Sequence, residues 1–77
     1  MKFSTYFHYM RQRADRKNIK MEWIEQVFRN PEHEQIQSDG RIRRWGYIAE
    51  ERKYLRVIVL EDKITIHNAF FDRTFKK

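Results

Sequence analysis

The stretch Tyr54–Arg73, YLRVIVLEDKITIHNAFFDR, reads as two β-strands joined by a tight turn, and the remainder of the chain is organised around it. Successive strand residues point to opposite faces, so parity assigns each side chain to a face. Leu55, Val57 and Val59 share one face, and Tyr54, Arg56 and Ile58 the other. Asp62-Lys63 is taken as a two-residue turn, a weaker form of the Asp-Gly signal because Lys63 resists positive φ. Glu61 then opposes Ile64, Ile58 opposes His67 and Arg56 opposes Ala69. This register sends Ile64, Ile66 and Phe70 to the aliphatic face. It sends Thr65, His67, Ala69, Phe71 and Arg73 to the face of Tyr54 and Arg56. The aliphatic face needs a cover, while the other mixes aromatic, cationic and imidazole groups.

Immediately upstream, RIRRWGYIA forms a third strand, with Ile42, Gly46 and Ile48 on one parity and Arg41, Arg43, Trp45 and Tyr47 on the other. If Ile48 opposes Leu55, the aliphatic sets of all three strands coincide. Arg44 falls on the aliphatic parity and is placed at the sheet rim, its stem packed and its head in water. Ser38-Asp39-Gly40 is a turn signal. Before it, EHEQIQ reads as a short edge strand whose charges discourage edge-to-edge pairing.

The N-terminal part reads as helical. Ser4 or Thr5 can cap a helix with Phe3, Phe7, Met10 and Ala14 on one face. A second stripe, Arg13, Arg16, Lys17 and Lys20, follows the same period and is either a solvated face or a polyanion footprint. Lys17-Asn18 breaks this helix. A second helix runs from about Lys20 to Asn30, with Met21, Ile24, Val27 and Phe28 apolar, Trp23 widening the stripe, and Pro31 ending it. Residues 74–77 read as a basic end that frays. The expected fold is α+β: two N-terminal helices on one face of a three- to four-stranded antiparallel meander, with residues 1–77 as a single domain.

Composition bounds the function. A chain of 77 residues supports one small core. Without cysteine, disulfides and thiolate metal sites are excluded, and a reducing, cytoplasmic setting is compatible. No apolar run reaches the roughly 18–20 residues of a membrane span. The formal charge of +6 favours polyanionic partners. His8, His33 and His67 have no metal-ligand spacing, and no phosphate loop, nucleophile elbow or paired-carboxylate motif is present, so no metal or cofactor is expected.

The segments RQRADRKNI, EWIEQV with its helix-ending NP, DGRIRRW, YLRVIVL and HNAFFDR together resemble an uncharacterised bacterial domain family. That family lies near the RelE/ParE-like and BrnT-like toxins of toxin–antitoxin pairs. The resemblance implies helices on an antiparallel sheet, a ribonuclease or translation-blocking activity, a ribosome or RNA target, and an antitoxin partner. It supplies no catalytic motif residue by residue.

The residues themselves suggest the chemistry. Metal-independent RNA cleavage needs a group to activate the 2′-hydroxyl, cations for the phosphorane, and a proton donor for the leaving oxygen. His67 can serve as acid or base, with Arg56 stabilising charge and Tyr54 in support. Arg43 and Arg73 can clamp phosphate, helped by Arg13 and Arg16, while Trp45 and Tyr47 can stack bases. The same face also suits a non-catalytic module that docks RNA or protein. In a third reading, Trp45, Tyr47 and Phe71 form a homodimer patch.

Overall fold

Residues 1–76 are described by a computed structural model. In chain order the elements are β1 (Lys2–Phe3), α1 (Thr5–Met10), α2 (Met21–Arg29), β2 (His33–Ile36), β3 (Ile42–Ile48), β4 (Lys53–Val59) and β5 (Thr65–Phe71). The class is α+β, as the residue pattern implies. The sheet, however, has five strands in the order β1-β5-β4-β3-β2, and it is mixed rather than a purely antiparallel meander. β1 runs parallel to β5, with Phe3 opposite Ile66. The cause lies at the cap. Ser4 Oγ accepts from the Phe7 amide, which leaves the residues before it extended. The Lys2 and Ser4 amides then donate to the Ile64 and Ile66 carbonyls. Phe3, expected on a helical stripe, is therefore a strand residue.

α1 also ends earlier than its periodicity suggests. Residues 11–18 form successive turns, Ala14 is exposed, and Arg13, Arg16 and Lys17 do not share a helix face. Arg16 instead reaches β5, where its Nη1 donates to Asn68 Oδ1 at 2.7 Å and its guanidinium lies 5.1 Å from the Phe70 ring centre. Ile19, at the expected break, is 2% exposed and belongs to the core. It stands one residue before the Lys20 N-cap of α2, with Ile24 at the fourth helical position, the spacing of a hydrophobic staple.

α2 follows its sequence closely and lies over β3 and β4, while α1 meets β5. Ile24, Val27 and Trp23 are buried; Met21 is exposed. The helix comes down on Gly46, where a Cβ would lie 2.8 Å from Val27 Cγ2. Gly46 rather than Ile48 opposes Leu55. The shift is two residues, so every β3 side chain keeps its face. Arg44 accordingly lies on the helix side. Its Nε bonds Glu34, its Nη1 bonds the Phe28 carbonyl, and the guanidinium covers the Phe28 ring.

The turn register holds as far as Val59 opposite Ile66, and then a bulge intervenes, since Ile58 opposes Asn68. His67 is the additional residue. Beyond it every β5 residue changes face. Ala69 and Phe71, expected beside Arg56, turn to the helix side, where Ala69 is buried and Phe71 meets Trp23 edge-on at 6.1 Å. Phe70, expected in the core, turns to the arginine side and opposes Arg56. Ile64 is exposed because it belongs to the turn, not to the strand. In that turn Lys63 adopts φ 68° after all. The Asp62 carboxylate holds the loop by accepting from the Ile64 and Thr65 amides and the Thr65 hydroxyl. The centre of the core is Ile24, Val27, Leu55, Val57, Val59 and Ile66, all fully buried between helices and sheet.

Candidate functional site

The sheet face away from the helices carries the chemistry, and Arg56 stands at its centre. Its guanidinium lies 5.6 Å from the Trp45 ring centre and 5.2 Å from that of Phe70. Nη1 is 3.5 Å from Asp72 Oδ2, and the Trp45 indole Nε1 donates to the same oxygen at 3.0 Å. Arg56 Nε is buried and has no hydrogen-bond partner among the described residues. Burial and then the neighbouring positive charge of Arg43 push the Arg56 pKa below its ordinary value, against the opposing pull of Asp72. Burial resists ionisation of Asp72. Hydrogen bonds from the Thr74 hydroxyl, the Trp45 indole and the Thr74 amide, with Arg56, outweigh it and hold the carboxyl below its usual range.

On one side of Arg56 the aromatic residues satisfy one another. Phe75 stacks on Trp45 at 4.8 Å with the planes 18° apart, and His33 tilts against both rings. Tyr54 meets Phe75 edge-on at 4.9 Å and Tyr47 at 5.2 Å. The C-terminal segment therefore folds back through Phe75 instead of fraying; Lys77 lies outside the described residues. Trp45 is left only 5% exposed, which removes it as an open stacking surface for bases.

A second groove, of about 430 Å³, is lined by Arg56 with Tyr6, Gln37, Arg41, His67 and Phe70. His67, the bulged residue, lies on this face as its alternation with Ile66 requires. Its Nδ1 is 3.0 Å from Ser4 Oγ, and its ring is stacked on Tyr6 at 4.6 Å, 17° from parallel. Ser4 Oγ also accepts from the Phe7 amide, so one hydroxyl both caps α1 and orients the His67 ring, with the imidazole tautomer setting which of the two donates. Burial, then the charge of Arg41, lowers the His67 pKa from its ordinary value and favours the neutral imidazole.

The expected pair Arg56 and His67 thus lines one groove, by a different register from the one the turn suggested. Arg43 lies in the adjoining groove, close enough to repel Arg56. Tyr54 does not join them, being drawn to Phe75. Arg73 is exposed by Lys53 and Phe71, beyond the bulge that reversed its parity. Arg13 is exposed and paired with Asp15 at 3.3 Å. The homodimer trio is divided, with Trp45 covered, Phe71 on the helix side and Tyr47 exposed. Ser4, Tyr6, Gln37, Arg41, Phe70 and Asp72 complete the site. Of these, only Arg41 is placed on this face by strand parity, which it shares with Arg43. Among the described residues, no three His, Asp or Glu side chains are grouped to hold a metal ion, and no helix is long and apolar enough to cross a membrane. Comparisons with protein-family models, curated proteins and solved structures found no match.

Proposed function

We propose that the chain binds RNA, or a related phosphodiester polyanion, along the sheet face away from its helices. The observation that carries this reading is that Arg43 and Arg56 line one groove of this sheet face. Arg41 borders the next groove along the same face. Like charges held together cost folding free energy unless a counter-charge arrives, and phosphates supply it. Asp72 and the two flanking rings fix the Arg56 guanidinium in place, so a phosphate meets a donor that has little freedom left to lose. The test is a titration of single-stranded RNA at two salt concentrations against the wild type and Arg43→Ala. The variant should bind more weakly and lose about 0.7 of a unit of salt slope without losing stability. Equal affinity of the two proteins would contradict the reading.

A second reading, cleavage of the bound RNA, is favoured by one further observation: an imidazole oriented by Ser4 lines the same groove as Arg56. His67 Nε2, with Nδ1–H donating to Ser4 Oγ, would take the 2′-hydroxyl proton as that oxygen attacks phosphorus, the imidazolium so formed would return a proton to the leaving oxygen, and Arg56 would stabilise the developing charge. The ribosome and antitoxin partners implied by the toxin resemblance belong to this reading. Removing either group should slow cleavage about 10²-fold or more while leaving the fold intact. Undiminished cleavage by both His67→Gln and Arg56→Ala would exclude this site, and a wild type that never cleaves RNA would exclude catalysis.

A further inference from the structure

α1 buries Phe7 and Met10 yet leaves Tyr6 43% and Tyr9 69% exposed. A short helix gains nothing in core packing from two exposed phenol rings. Tyr6 is nonetheless held in a fixed orientation. Ser4 starts the helix, the hydroxyl of the same residue orients the His67 imidazole, and that imidazole is stacked on the Tyr6 ring. The outcome is a near-parallel pair of flat rings lining a groove that Arg41 and Arg56 also line.

A planar ring whose orientation is already set loses little entropy when another flat group is laid on it. Beside a cationic groove, the flat group that fits is a nucleobase, since every base has a π face and its phosphate would lie among the arginines. A base inside a duplex is already stacked and cannot be laid there. We infer that the Tyr6–His67 ring pair is a base-stacking platform that makes this site select single-stranded nucleic acid over duplexes and over base-free polyphosphate. The inference rests on the polyanion reading above and adds the feature that distinguishes one polyanion from another.

The experiment measures the affinity at low salt of a short oligouridylate, a duplex RNA and inorganic polyphosphate of matched length. The proteins are the wild type, Tyr6→Leu and Tyr6→Phe, with melting temperature recorded for each. The wild type should bind oligouridylate about fivefold to a hundredfold more tightly than polyphosphate, the range expected for one stacked base. Tyr6→Phe should keep that gap and Tyr6→Leu should close it. Should Tyr6→Leu fail to fold, the wild-type ranking of the three probes decides by itself. Equal wild-type affinity for oligouridylate and polyphosphate, or a gap that survives in folded Tyr6→Leu, would overturn the platform and leave the polyanion reading standing. Failure of all three probes to bind would overturn both.

Discussion

Asp72 links the chemistry of the open face to its stability. One carboxylate oxygen receives the Trp45 indole and faces Arg56, and the other receives the Thr74 amide and hydroxyl. Asp72→Ala would strand a buried indole N–H and leave Arg56 with Arg43 as its nearest charge. It should cost about 1–3 kcal/mol in a denaturant titration. The depressed pKa of Asp72 also sets a direction: its contribution is complete above the ordinary carboxylate pKa of 3.8 and is lost as the pH falls below it. His67 acts in the same sense at higher pH. Its folded pKa lies below 6.5, so the unfolded chain takes up the proton more readily. Stability should therefore decline as the pH drops through about 6.5, with Arg41 opposing protonation in the folded state. His67→Gln should flatten that part of a melting-temperature profile against pH. An unchanged slope would show that His67 is not the responsible group.

Among the elements, α2 and the helix-side sets of β3 and β4 were legible because the 3.6-residue and two-residue periods survive small errors of register. The pairing of β3 with β4 is displaced by two residues from that expected, and no side chain changes face. One unpaired residue is different in kind. Nothing in ITIHNAFF marks His67 as an insertion, yet that residue reverses Ala69, Phe70, Phe71 and Asp72 and rewrites half the site. β1 was hidden for a related reason, since Phe3 lies at a helical spacing from Phe7 and only the Ser4 cap separates strand from helix. The candidate site was legible in its arginines and its histidine. Its supporting groups, Ser4, Tyr6 and Asp72, are assembled by tertiary contacts that no local pattern displays. Two substitutions test the element packing. Gly46→Ala would drive a Cβ to 2.8 Å from Val27 Cγ2 and should destabilise by about 1–3 kcal/mol. Ile66→Ala, at the centre of the core, should cost about 2–4 kcal/mol. Wild-type stability in either variant would contradict the seating of α2 on β3 or the burial of β5.

At the scale of the whole molecule, one face of the sheet is spent on folding. The other carries Arg41, Arg43 and Arg56 around a rigid central guanidinium, in a chain of net charge +6. If three phosphates are neutralised at those arginines, the logarithm of the affinity for single-stranded RNA should fall against the logarithm of salt concentration with a slope of about −2. Fluorescence anisotropy of a labelled single-stranded RNA across a salt series reads this directly. Binding at low salt should weaken with about that slope, and the slope should ease to about −1.4 once Arg43 is replaced by alanine. Binding that ignores salt, or none at low ionic strength, would contradict the assignment of this face to a polyanion.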